Sequence, residues 1–330
     1  IRDDVESRGL GDVYKRQTVP IHDLLRAECY DDMFGKVWSP SMNVDLLRAM
    51  SESPRWRNLR VGAYVDEFDA ETTKQFSACV FELGNGTLYV AFRGTDSSIV
   101  GWKEDFMMAF RRPVASQEAA ARYLTELAGH WAGPIMVGGH SKGGNLAVYA
   151  AANVPSEIQE RITVVYSHDG PGFDEDGYVR IASKIHKSVP GSSIIGMLFE
   201  TREHVEDGYT VVSSDGASIM QHFALHWQVD HGQFVQADGL TSSAQYLART
   251  INGWMAKYDD EHRRKFIENL FAIFEAGGYD TFGDLTSHLT QSLPIMLAAA
   301  RNIDVEDRDV MIEVLKGFAA TAAASVILAK

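Results

Sequence analysis

Apolar residues are distributed along this chain in two ways, and the change falls near residue 242. Before it they come in short continuous runs: Leu88–Phe92, Ile135–Val137 and Ile162–Tyr166 are apolar on both faces. Runs of that length without alternation predict strands buried in the middle of a sheet. After it they recur three and four apart. Leu247, Ile251, Trp254, Met255 and Tyr258 make one stripe, and Phe266, Leu270 and Phe274 another, closed by Gly277-Gly278. That spacing predicts amphipathic helices. Two more helical stretches follow, the first interrupted by Pro294.

The same reading covers the rest of the chain. Ile21 to Met50 is predicted helical, with Leu24, Leu25, Leu46 and Leu47 as core candidates and a break at Ser39-Pro40-Ser41. Leu59–Val65 is a predicted strand, and Ser77–Glu82 and Thr87–Arg93 flank Gly84-Asn85-Gly86, a hairpin signature. Ser116–Trp131 is a predicted helix with Tyr123, Leu127 and Trp131 four apart, stopped by Gly133-Pro134. Ile135–Val137 runs through a glycine turn into a helix ending near Ala152, and the strand Ile162–Tyr166 follows. Strand, helix and strand at this spacing form a βαβ unit and call for a parallel sheet. Tyr178–His186 reads as helix running into strand, and Tyr209–Ser213 as another strand. The expected class is α/β, a mostly parallel central sheet flanked by helices, with a C-terminal helical region appended.

Composition narrows the partners. A net charge of -14 over 330 residues leaves no basic patch for a nucleic acid; Arg263-Arg264-Lys265 reads as the solvated face of a helix. Cys29 and Cys79 offer neither a disulfide framework nor metal-ligand spacing, which fits a reducing compartment. The longest apolar candidate, Gly317–Ala329, falls short of the ~18 residues of a membrane span. With no secretory signal apparent, the expected location is cytoplasmic. Residues 1–17 lack apolar periodicity, and their end, GDVYKRQ, resembles translated sequencing-adapter read-through, so they are set aside as a non-native extension. The expected division is then an α/β domain over 18–241 and a helical region over 242–330, packed on or beside it.

Candidate chemistry concentrates in Gly138-Gly139-His140-Ser141-Lys142-Gly143-Gly144, between an apolar strand and a helix. A serine there, flanked by Gly139 and Gly143, has the G-x-S-x-G spacing of a nucleophile on a sharp strand-to-helix turn. A structural glycine-rich turn is the alternative. Such a serine needs a base to accept its proton and N–H donors for the tetrahedral intermediate. Lys142, the residue after it, supplies one candidate backbone donor.

In this order, Arg93-Gly94-Thr95 after an apolar strand, Trp102 and Asp105, then Gly139-His140-Ser141-Lys142-Gly143-Gly144 resemble the class 3 (fungal-type) lipases. The chain is more similar still to a bacterial lipase-like family of unknown function that shares Asp169-Gly170-Pro171-Gly172-Phe173 and Gln221-His222. The resemblance covers roughly Leu59 to Phe234. It implies an α/β-hydrolase fold, Ser-His-Asp catalysis on carboxylic or lipid esters, and no cofactor or metal. By the matching position, Thr95 is the second oxyanion donor, although a threonine after a strand is also an ordinary turn residue.

The base is expected after the acid in chain order. His222 fits, His226 is its rival four residues on, and His231 is a third choice. His140 is excluded because its side chain points away from that of Ser141 on the turn. Class 3 lipases place their aspartate after the next-to-last core strand, where this chain has Ser192-Ser193 in Val189–Ile195. Asp169, ending the strand after the glycine-turn helix, is the candidate acid, against the reading of an Asp-Gly turn; Glu200 is the alternative. Lys142 replaces the apolar residue usual after the class 3 serine and suggests a more polar mouth and substrate. Two other functions share these residues: a catalytically inactive binding module, and acyl transfer or thioester hydrolysis.

Overall fold

A computed structural model describes residues 18–301 apart from Lys36, Trp38, 174–175 and 200–207, together with Ile303 and Arg308. Eight strands form one sheet in sequential order: β1 (Val19–Pro20), β2 (Arg60–Asp69), β3 (Lys74–Glu82), β4 (Leu88–Phe92), β5 (Ile135–His140), β6 (Ile162–His168), β7 (Ile185–Pro190) and β8 (Tyr209–Val212). β1 to β4 pair antiparallel; short turns join β2 to β3 and β3 to β4, whereas residues 21–59 lie between β1 and β2. β4 to β7 pair in parallel, which requires the crossovers that the βαβ spacing announces. The continuous apolar runs are the central strands: Leu88, Val90, Phe92, Ile135, Val137, Ile162 and Val165 are all buried.

The helices are α1 (Tyr30–Phe34), α2 (Pro40–Glu52), α3 (Ile99–Met107), α4 (Ala115–His130), α5 (Lys142–Asn153) and α6 (Ser156–Arg161). The C-terminal part adds α7 (Ser242–Lys257), α8 (Asp260–Ala276), α9 (Phe282–Ser287) and α10 (Leu289–Arg301). Two compact units divide the chain. The first holds the described parts of Ile1–Asp96, Ala115–Gly170 and Glu175–Ser188. The second holds those of Ser97–Val114, Pro171–Asp174 and Val189–Lys330.

In the first unit, the buried rings of Phe76, Phe92 and Tyr123 meet at 6.0–6.2 Å, joining β3, β4 and α4. The Tyr123 hydroxyl donates to the Ala63 carbonyl at 2.6 Å, where the β2–β3 register shifts and Ala63 takes φ 47°. A bulge opens a ladder carbonyl, and the tyrosine satisfies it inside the core. Among the N-terminal core candidates the burial differs from expectation. Ile21 is the buried residue, Leu24, Leu25 and Leu47 are half-buried, and Leu46 is exposed. Ile21–Leu24 forms a 3-10 turn, and Leu46 lies on the exposed face of a separate helix over Pro40–Glu52.

In the second unit the tail stripes find their partner. Met255 of α7 and Phe266, Ile267, Leu270, Phe271 and Ile273 of α8 form one buried cluster with Ile99 of α3 and Ala109. Phe106 meets Phe271 edge to face at 5.4 Å, and Trp102 packs on the same cluster. The Trp254 side chain and the stretch Gly317–Ala329 lie outside what is described. Pro294 does not interrupt its helix: α10 runs through it from Leu289 to Arg301. Lying inside the helix, the proline gives up the backbone hydrogen bond that an N–H there would have made, and the helix continues past it.

Candidate active site

The first unit builds the serine turn from backbone contacts. Ser141 sits between β5 and α5 at φ 57°, ψ -129°, a conformation L residues seldom adopt. Its N–H donates to the His168 carbonyl of β6 at 2.9 Å, and its own carbonyl accepts from Gly144 N–H at 2.9 Å. A Cβ on Gly139 would lie 2.6 Å from the Phe92 carbonyl oxygen and against the backbone of Gly143. One on Gly143 would lie against that same Phe92 carbonyl and 3.0 Å from the Arg93 carbonyl carbon. Both glycines are therefore required by close approach of β4 to the turn.

The loop after β4 closes over the same point. A Cβ on Gly94 would stand 2.7 Å from the His140 carbonyl oxygen and 3.4 Å from Ser141 Cβ. Arg93 N–H donates to the Ser77 carbonyl at 2.9 Å, while its guanidinium reaches Asp66 at 3.1 Å and Asp96 at 3.7 Å. Thr95 is thereby carried on a loop pinned on both sides and running past the serine turn.

Asp169 is fully buried one residue beyond the carbonyl that holds Ser141. It takes φ 49°, its N–H donates to the Ser188 carbonyl at 2.7 Å, and Gly170 beside it leaves a Cβ only 2.8 Å from the Asn145 backbone nitrogen. The aspartate is thus wedged between β7 and the first turn of α5. Gln117 and Asn145, both buried, close that turn with a 2.8 Å hydrogen bond.

Lys142 departs from expectation. Its side chain does not face solvent: it is 1% exposed, and its Nζ donates to the Gln75 carbonyl of β3 at 2.9 Å. The apolar stem of a lysine can bury along a core while its ammonium keeps one good acceptor. The more polar mouth inferred from this residue has no such support.

The second unit carries the histidines. His222 ends a 3-10 turn, Ser218–His222, and His226 ends the next, Ala224–His226; both are half-buried. Phe223 lies between them, 6.4 Å from each ring. Gln221 ties this segment down: its Oε1 accepts from Ser192 N–H and its carbonyl from Trp227 Nε1, both at 2.8 Å. The loop after β7 is therefore bonded to the residue before His222, and it offers a buried Ser193. His231 is exposed on the hairpin of β9 (Val229–Asp230) and β10 (Gln233–Phe234). Glu200 lies outside the described residues.

One residue here escaped the sequence reading. His168 ends β6 in register with His140, stacks on Tyr166 at 5.7 Å, and is held below the ordinary imidazole range by burial. Its place at the end of a parallel strand beside the serine strand was the available signal. Among the described residues, no cluster of His, Cys, Asp or Glu could hold a metal ion, and no helix is long and apolar enough to cross a membrane.

A central parallel sheet with a serine turn at the carboxyl end of β5, followed at once by α5, defines a lipase-like α/β-hydrolase fold. The chain belongs to the Mbeg1-like family, whose model matches residues 50–272. Similar solved structures include a fungal lipase–inhibitor complex (18% identity, 59% of this chain, 76% of that chain, TM-score 0.34). M37 lipase is another (15% identity, 70% and 80%, TM-score 0.36), as is the native Rhizomucor miehei lipase propeptide complex (15% identity, 64% and 77%, TM-score 0.32). No curated protein matches the chain.

Proposed function

We propose that this protein is a serine hydrolase of carboxylic esters, lipid esters among them. Ser141 is the nucleophile, His222 the base, Asp169 the acid, and the backbone N–H groups of Thr95 and Lys142 the oxyanion donors. The observation that carries the reading is the Ser141 backbone at φ 57°, ψ -129°, crowded by Gly94, Gly139 and Gly143. Strain of ~1–3 kcal/mol at a single residue persists only where its surroundings over-determine it, and such residues cluster at reactive centres. In this scheme Ser141 Oγ attacks the ester carbonyl as its proton passes to the imidazole. The oxyanion is met by the N–H donors, and the imidazolium then protonates the departing alcohol. Water repeats the sequence on the acyl-enzyme; an alcohol or thiol in its place would give acyl transfer by the same residues.

A binding module is the second reading, favoured by the buried Ser193 in the loop where class 3 lipases carry their acid. A fluorophosphonate probe separates the two. Labelling and hydrolysis of short p-nitrophenyl esters should be lost in Ser141→Ala, and His222→Ala should lose turnover as completely, by at least about a thousandfold, because triad members act as a unit. Asp169→Asn should fall heavily while remaining folded. Wild type labelled no faster than Ser141→Ala would establish the binding module instead.

A further inference from the structure

Lys142 holds two positions at once, and its side chain has no part in the scheme above. Its backbone opens α5 directly after Ser141, so its N–H projects from the first turn of a helix whose dipole favours negative charge there. Its side chain turns inward, buried to 1% exposure, and donates to the Gln75 main-chain carbonyl at the start of β3. Gln75 is itself 1% exposed. Strand β3 runs antiparallel to β4, so the start of β3 lies beyond the end of β4, at the edge of the sheet where the Arg93–Asp96 loop departs. The Lys142 anchor thus joins the first turn of α5 to the sheet beneath the loop that carries Thr95.

We propose that Lys142 is a positioning residue for oxyanion stabilisation: its buried ammonium, seated on the Gln75 carbonyl, fixes the orientation of its own backbone N–H. This rests on the esterase reading of the same site. A lysine placed inside a fold gives up hydration of its charge, and an apolar side chain of equal length would fill the space at lower cost. Retention of the ammonium therefore needs a reason beyond packing. A donor that must meet charge only in the transition state gains from being locked before the reaction starts.

The test compares wild type with Lys142→Met, a neutral side chain of similar length, using a p-nitrophenyl ester and an alkyl trifluoromethyl ketone. The ketone forms a hemiketal: the Ser141 Oγ–carbon bond forms, the hydroxyl proton passes to the base, and the former carbonyl oxygen becomes an oxyanion. The expected result is a kcat roughly 10–100-fold lower with KM unchanged, and ketone affinity weakened by the same factor. A purely structural role would lower Tm and leave both ratios alone. Lys142→Met with wild-type kcat and ketone affinity overturns this assignment alone. A wild type lacking Ser141-dependent turnover overturns the esterase reading and the assignment with it. Should Lys142→Met not fold, wild type labelled with ¹⁵N-lysine decides. The Lys142 ammonium signal, identified by its loss in Lys142→Arg, should be protected from exchange with water, and exchange at the rate of a free lysine would overturn the anchor.

Discussion

The segment around Ser141 and the segment around His222 are held in place by different means. At Ser141 the backbone does the work: a strand end, a helix start and a loop approach so closely that glycine alone fits at 94, 139 and 143. Around His222 the described elements are short: 3-10 turns of five and three residues, a hairpin of two-residue strands, and isolated bridges from Ser214 to Trp227 and from Val212 to Gln236. That segment is tied by single hydrogen bonds. Backbone ones run from Asp215 N–H to the His226 carbonyl and from Gln228 N–H to the Ser213 carbonyl, both at 2.9 Å. Side-chain ones bond Gln221 to Ser192 and Trp227, and Gln228 to Asp215. Positions fixed by sterics tolerate no substitution, whereas positions fixed by individual hydrogen bonds weaken one bond at a time.

A pair of glycine substitutions tests that difference most severely. Gly143→Ala forces a Cβ against the Phe92 carbonyl, and should cost about 3 kcal/mol or more in chemical denaturation. Gly232→Ala, in the β9–β10 turn, meets nothing within 4 Å and pays only for its φ of 77°, about 1 kcal/mol. Equal costs at the two sites would remove the distinction.

A smaller effect is expected where a side chain is the tether. Gln221→Ala leaves Ser192 N–H without its acceptor and should lower stability by about 1–2 kcal/mol. Under the proposed function it should also lower kcat about tenfold by loosening His222, while Gln221→Glu, which keeps an acceptor oxygen, stays near wild type in stability. Denaturation midpoints and ester turnover measured on the same preparations check both parts.

The smallest effect concerns His168, on the sterically fixed side. Burial holds its folded-state value below the ordinary 6.5, so the unfolded chain binds the proton first as pH falls. Stability should therefore be full above pH 6.5, decline as pH drops below it, and level off once the folded-state value is passed. His186 near Tyr166 and His140 in register with His168 stand close by. The readout is accordingly the difference in pH slope between wild type and His168→Gln, which should be shallower.

The same contrast explains what could be read from the sequence. Steric requirements are written in residue types: two glycines around a serine, after an apolar run and before alanines, leave one local geometry. Hence β4, β5, α5 and β6 were visible in advance, as was the Gly84-Asn85-Gly86 turn. Hydrogen-bond tethers are not written locally. Nothing in Gln221 announces Ser192 twenty-nine residues earlier, and short 3-10 turns have no apolar period. Lys142 misled because lysine is seldom buried, and residue type alone carries no sign that Gln75 waits to receive it. The apolar stripes of α7 and α8 were legible, but their partner α3 was not, since Ile99, Trp102 and Phe106 are too few to show a period.

That last pairing sets a schedule for a chain emerging from a ribosome. Helix α3 is made early, and the α8 residues that bury Ile99 and Phe106 follow roughly 160 residues later. At ~5–20 residues per second, the interval is on the order of 10–30 s. Within it, strands β5 to β8 are made while the apolar face of α3 still awaits its cover. The second unit cannot be completed in step with synthesis; it is assembled by return of the chain's later helices to a segment that has been waiting for them.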